Sequence, residues 1–281
     1  MNRRATPVLA LTAALAVLSG CGEDPGTSPE PGATPSASTP GTSTTAPAAV
    51  RSAGAQREVE FAYEGERGPA NWASLSEEYA ECADAAQQSP VDLAGATTVP
   101  LPDLRFDYAT ADVELDNTVH TVQAVEPAGS TVGVDGRTYA LKQFHLHEPA
   151  EHALDGQTLA GELHLVHTDD SGAVAVVGVL LRQGEANPAL TEYFANLPAG
   201  PGERATLTGF DTEALLPQDR RTFRYTGSLT TPPCTEGVSW FVVREPVEVS
   251  AQQLADFRSV VAENSRPLQP LGGRELLLDA D

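Results

Sequence analysis

The sequence predicts a mainly β protein of the α+β kind: a large, mostly antiparallel sheet with a few peripheral helices, in one domain spanning residues 57–281. Three observations lead there. Short alternating or β-branched runs recur from Val113 onward. Turn signals separate them, among them Pro-Ala-Gly at 127–129, Asp-Gly at 135–136 and 155–156, and Asp-Asp-Ser-Gly at 169–172. Only two stretches carry convincing helix signals.

Taken in order, strands are expected at 113–115, 121–125, 131–134, 139–147, 159–167, 174–181, 238–243 and 247–249. Helices are expected at 187–196 and 250–264. In the second, Ser250 is a candidate N-cap with Gln253 three residues on, a capping box, and Leu254, Phe257, Val260 and Val261 form an apolar stripe.

Residues ahead of this domain read differently. Arg3 and Arg4 precede an apolar run at 8–18, too short to cross a bilayer, so residues 1–20 have the form of a secretion signal. The run ends Leu18-Ser19-Gly20-Cys21, which resembles a bacterial lipobox; Cys21 is then expected to carry lipid, the alternative being an ordinary cleaved signal with a chance cysteine. The rest of residues 21–56 is dominated by Pro, Thr, Ser, Ala and Gly, has almost nothing to bury, and reads as a disordered tether. The expected location is extracytoplasmic, with the chain anchored through lipid to a bacterial membrane.

The formal net charge of −22 argues against nucleic acid as a partner. With Cys21 set aside, Cys82 and Cys234 remain, either a pair or two buried free thiols; an oxidising compartment favours the pair. A bridge across so long a loop stabilises by roughly 2–5 kcal/mol.

All six histidines lie in the folded part. His145 and His147 are two apart in one strand-like run, and His164 lies in the next. Side chains at i and i+2 of a strand share a face, so His145 and His147 aim together with Phe144 and Leu146 opposite. Glu162, His164 and Val166 likewise share a face. Three imidazoles from two adjacent strands make a zinc site with its fourth position open, the pattern of catalytic rather than structural zinc. Gln143 and Glu162 each sit two residues before a histidine and can accept its other ring N–H. His167 faces away from His164.

The order of motifs resembles one family closely, the α-class carbonic anhydrases. The matching segments are Gly-Pro-Ala-Asn-Trp (68–72), Gln-Ser-Pro-Val-Asp-Leu (88–93), Gln-Phe-His-Leu-His (143–147), Ala-Glu-His (150–152), Glu-Leu-His-Leu-Val-His (162–167), Gly-Ser-Leu-Thr-Thr-Pro-Pro (227–233) and Arg-Pro-Leu-Gln-Pro-Leu (266–271). The resemblance implies a central twisted sheet of about ten strands. It implies Zn2+ on His145, His147 and His164, and reversible hydration of carbon dioxide to bicarbonate by a zinc-bound hydroxide.

Further roles follow only from the resemblance. Thr230 and Glu151 match a gatekeeper pair that orients the nucleophile, His120 a proton shuttle, and Tyr63 a solvent-ordering tyrosine. Thr231 matches a product contact. Val166, Val176, Leu229, Val238 and Trp240 match the apolar substrate wall, with core packing the alternative for the last two. Gln143, Glu162 and the backbone carbonyl of Asn264 match the partners of His145, His164 and His147. Cys82 and Cys234 match a family disulfide that would brace the Thr230 loop. His152 and His167 are expected to be hydrogen-bonded core residues. The chain departs from the family at Glu148-Pro149, where Trp-Gly is usual, at Phe61 in place of an N-terminal Trp, and at Val119 in place of a Gly before His120. The partner is then a small molecule, with a homodimer left open. A non-catalytic zinc-binding or adhesion module on the same fold is the alternative function, and such relatives typically lack a zinc ligand.

Overall fold

The computed structural model describes residues 60–84 and 86–280. The expected signal segment 1–20, Cys21 and the tether 21–56 lie outside the described residues. Strands in chain order are β1 (Thr97–Val99), β2 (Arg105–Asp107), β3 (Ala111–Asn117), β4 (Val122–Val125), β5 (Thr131–Val134), β6 (Arg137–His147) and β7 (Ala153–Leu154). They continue with β8 (Gln157–Thr158), β9 (Gly161–Thr168), β10 (Val174–Gln183), β11 (Arg204–Phe210), β12 (Thr222–Ser228), β13 (Glu236–Val249) and β14 (Leu277–Asp279).

Ten of them run in the order β1-β14-β12-β13-β10-β9-β6-β4-β3-β11, with β2 and β5 attached beside β6. Only β1 with β14 and β10 with β13 pair in parallel. The large mostly antiparallel sheet expected from sequence is therefore present. Strands 238–243 and 247–249 are one strand rather than two. The register of β10 against β13 shifts from Val179↔Val243 to Leu181↔Val247. Arg244, Glu245 and Pro246 bulge there, and a bulge is where a sheet tolerates proline.

The sheet is apolar on both faces. Val113, Leu115, Phe144, Leu146, Leu163, Leu165, Val177 and Val179 are buried in the main core. Val176, Phe223, Tyr225, Val238, Trp240 and Val242 belong to a second cluster. Each large apolar side chain buried this way contributes roughly 1.5–3 kcal/mol. The alternation along β6 and β9 therefore puts Phe144, Leu146, Leu163 and Leu165 into the main core and frees the histidines between them for the opposite side.

Helices are short: α1 (Trp72–Leu75), α2 (Glu81–Asp84), α3 (Thr191–Ala195) and α4 (Ala251–Arg258). Ser250 and Gln253 form the expected capping box on α4. That helix ends six positions before the expected 264, because the chain turns to bring Asn264 against β6, where its N–H reaches Glu148 O at 3.3 Å. Asn187 caps a 3-10 turn at Pro188–Leu190 that leads into α3, so the expected helix at 187–196 is split. Cys82 and Cys234 form a disulfide with Cα atoms 5.1 Å apart, packed with Trp72 and Tyr79. Among the described residues no helix is long and apolar enough to cross a membrane.

His167 is buried on the main-core side, its Nε2 2.7 Å from Tyr108 Oη. Burial holds its pKa down to about 4, against opposing help from the Ala175 and Leu165 backbones. An unfolded histidine titrates near 6.5. Below that pH the unfolded chain takes a proton that the folded chain refuses, so stability falls as pH drops from about 6.5 to 4, by about 3 kcal/mol for this one group. Denaturant titrations across that range should show a shallower loss in His167→Gln than in the parent chain; parallel curves would contradict the assignment.

Candidate metal centre

Register places the histidines. In the β6·β9 ladder His145 lies directly opposite His164, and His147 opposite Glu162. One potential ligand atom from each of His145, His147 and His164 falls within 4.8 Å of the others. His147 and His164 are buried and His145 is partly open to a cavity of about 700 Å³.

The second nitrogen of each ring meets an acceptor. His145 Nδ1 is 2.8 Å from Gln143 Oε1, and His147 Nδ1 is 2.7 Å from the Asn264 carbonyl. Both acceptors take a proton, so both Nδ1 atoms donate and both Nε2 atoms carry lone pairs. Those two Nε2 atoms face each other at 3.0 Å. Lone pairs at that distance repel unless a cation lies between them. Two ligands of one tetrahedral zinc, with bonds of about 2.0–2.1 Å, stand about 3.3 Å apart. His164 turns Nε2 toward Glu162 Oε1 at 3.1 Å, though their alignment falls short of a hydrogen bond, and its Nδ1 lies 3.9 Å from Glu151 Oε2.

Electrostatics favour neutral imidazoles, the form that binds metal. Burial pushes His145 well below its usual value, and His147 and His164 push it further. Burial holds His147 down to about 4 against the Asn264 carbonyl, and lowers His164 against Glu162. The residues present therefore fit a divalent cation.

A second ring of polar groups sits behind. Glu162 accepts from the backbone N–H groups of Glu151 and His152 at 3.0 and 2.8 Å and from His152 Nδ1 at 2.7 Å. Burial alone would raise its pKa, but His152 and His164 hold it well below the carboxylate range. His152 Nε2 continues to Tyr225 Oη at 2.7 Å, and that hydroxyl to Ser89 Oγ at 2.8 Å. Space for Glu162 comes from Gly178, opposite His164 on β10: a Cβ there would stand 2.9 Å from Glu162 Oε1.

Glu151 is buried, with Oε1 accepting from the Arg266 N–H at 2.8 Å and lying 3.6 Å from His147 Nδ1. Burial pushes it up to about 7, while His164, Arg266 and the Thr230 side chain pull it down. Thr230 is thus close enough to act on the carboxyl, yet Oε2 has no closed hydrogen bond. Thr230 sits in a loop braced as the disulfide reading implied: Cys234 N–H donates to Thr231 O at 2.8 Å, and Gln88 Nε2 to Cys234 O at 3.0 Å.

The cavity wall gathers Tyr63, His120, Gln143, Val166, Val176, Leu229, Thr230, Thr231 and Trp240 with the three histidines. Val238 is not among the wall residues; it is buried in the second apolar cluster together with Trp240, which accords with core packing, the alternative role expected for it. Asn264 also stays behind the wall, touching the site through His147. Thr121, Gln123 and Pro232 line the cavity without having been singled out from sequence. The His120 ring stacks on Phe61 with centroids 3.9 Å apart, and Tyr63 meets it edge-on at 6.1 Å. Burial, and next Glu151, push the Tyr63 hydroxyl well above its usual pKa, so it stays protonated.

Comparison with known proteins points one way. The family described as eukaryotic-type carbonic anhydrase matches residues 67–279. A carbonic anhydrase of Klebsiella pneumoniae is 40% identical over 221 residues, covering 77% of this chain and 90% of that one. One from Neisseria gonorrhoeae is 39% identical over 219 residues, covering 77% and 87%. The α-carbonic anhydrase of Thermovibrio ammonificans, solved with the inhibitor sulfanilamide, superposes with a TM-score of 0.77 at 41% identity, covering 78% of this chain and 99% of that one.

The carboxylate behind His164 yields a direct test. Glu162→Gln removes the charge that His152 and His164 lean on. Zinc affinity, measured by competition with a chelator, should fall by about 10–100-fold; unchanged affinity would mean that Glu162 serves packing alone.

Proposed function

The chain belongs to the eukaryotic-type, α-class carbonic anhydrases, enzymes that hydrate carbon dioxide, and from that premise we propose that it does so with zinc held by His145, His147 and His164, outside the cytoplasm. The observation that carries the reading is the pair of Nε2 lone pairs 3.0 Å apart at the cavity floor, each fixed by an acceptor on the far side of its ring. Zinc supplies Lewis acidity there and, from water, a nucleophile at neutral pH, chemistry for which carbonic anhydrase is itself the standard example.

The chain's own residues do the rest. Gln143, Glu162 and the Asn264 carbonyl hold the three rings in the tautomers that point ligand atoms into the cavity. Thr230 Oγ1 is placed to donate to Glu151, which would leave its lone pair as an acceptor for the attacking oxygen and so set that oxygen's orientation. The added positive charge beside His147 and His164 favours the ionised form of Glu151, as that donation requires. Val166, Val176, Leu229 and Trp240 give carbon dioxide an apolar wall that does not compete for it with hydrogen bonds. Thr231, beside Thr230, offers the charged product a hydroxyl. His120, at the cavity wall between Phe61 and Tyr63, takes the proton released and passes it to buffer.

The lipobox-like Leu18-Ser19-Gly20-Cys21 and the tether support a membrane-anchored enzyme. The Cys82–Cys234 bridge fits an oxidising compartment. A non-catalytic module is disfavoured, since all three histidines stand together with Thr230 and Glu151.

Stopped-flow hydration assays on the zinc-loaded protein test the proposal. The parent chain should hydrate carbon dioxide far above the uncatalysed rate and be inhibited by sulfanilamide, while His164→Ala should fall to the zinc-free background. A zinc-loaded parent no faster than its zinc-free form would overturn it.

A further inference from the structure

Asn264 lies beyond α4 in a stretch without regular secondary structure, yet it is only 1% exposed. Its carboxamide is fully used. Nδ2 donates to the His120 carbonyl at 3.0 Å and to the Leu146 carbonyl at 2.9 Å, and Oδ1 accepts from the Glu148 N–H at 2.8 Å. The main chain adds its carbonyl, which accepts from His147 Nδ1 at 2.7 Å, and its N–H, which donates to Glu148 O at 3.3 Å. Four of these contacts seize residues 146–148 around the ligand His147. The fifth reaches across to the turn at 117–121 that carries His120.

That turn is strained. Val119 has φ +80°, a left-handed value that a β-branched residue rarely adopts. Such a conformation persists only where the surroundings over-determine it. Inside the turn, Val119 N–H donates to Asn117 Oδ1 at 3.1 Å, and Thr118 donates to Thr121 O through both N–H and Oγ1, at 2.9 and 3.0 Å. To the sheet it is tied twice: Thr121 Oγ1 donates to the Leu146 carbonyl at 2.9 Å, and Asn264 Nδ2 donates to His120 O as well as to that same Leu146 carbonyl. The peptide that follows His120 is thus pinned to the strand end that carries His147.

We propose that the Asn264 carboxamide is a positioning residue for proton release: it holds the strained Val119–His120 turn at a fixed offset from the metal ligand His147. The inference rests on the reading of His120 as proton relay. The carbonyl that orients His147 belongs to the backbone and survives substitution, so the side chain's effect separates from metal binding.

The test compares the zinc-loaded full chain with Asn264→Ala. In weak buffer kcat should fall about fivefold, the worth of one hydrogen bond, and more than kcat/KM, because proton release follows the hydration step. Added imidazole should restore kcat. In a His120→Ala background the substitution should cost kcat nothing further. Zinc content should not change, and the amide and ring resonances of His120 should shift while the amide and methyl resonances of Val166 stay put. If Asn264→Ala does not fold, Thr121→Val cuts the parallel tie and should show the same pattern. An active parent whose variant keeps both kcat and the His120 resonances overturns this inference alone, as does an equal fall in kcat and kcat/KM with loss of zinc. An inactive parent overturns the proposed function, and the resonances then still decide whether Asn264 places the turn.

Discussion

The register of β6 against β9 is the constraint on which the site depends. His145 faces His164 across the ladder only because Phe144 faces Leu165 and Leu146 faces Leu163 on the other side. A slip of one residue would turn the histidines into the main core and the apolar residues into the cavity. Burial of four large apolar side chains makes that slip prohibitive. The site is therefore held by hydrophobic packing that never touches it, and imidazoles that would repel one another are kept together by the sheet behind them.

Placing ligands is only half of the problem, since an imidazole can turn about its bonds. The second ring of groups removes that freedom. Gln143 comes from the same strand as His145, Glu162 from the same strand as His164, and the Asn264 carbonyl from the segment after α4. Glu162 is a buried charge, costly on its own. It is tolerated because two backbone N–H groups and His152 satisfy it, and because Gly178 leaves it room. His152, Tyr225 and Ser89 then carry the polar chain to the loop below. The Thr230 loop is fixed separately, through Gln88 and the disulfide.

Much of this was legible in the sequence, and what was legible shares a cause. Period-two alternation in 139–147 and 159–167 is local, so strand, face and ligand set could be read from neighbouring letters. The continuous apolar, β-branched run at 174–181 and the capping box at Ser250 were legible for the same reason. What escaped depends on distant partners. Nothing around Val238 tells whether it packs in the second apolar cluster or lines the cavity. Nothing near Arg244–Glu245–Pro246 says that β10 continues alongside and turns a break into a bulge. Strands β1, β2 and β14 are three residues each and carry no period of their own, and β12 hides behind Arg224, which pairs with Asp279 far along the chain. The carboxamide of Asn264 makes three bonds to residues more than a hundred positions away, and its sequence neighbours signal none of them.

Under the proposed function, three neutral imidazoles, and no sulfur or carboxylate, hold one zinc ion. Zinc K-edge X-ray absorption on the purified protein measures this most directly. The spectrum should show one zinc per chain with a first shell of three imidazole nitrogens at about 2.0–2.1 Å and one further light-atom ligand. A shell containing sulfur, fewer than three imidazoles, or a chain that retains no zinc would contradict it.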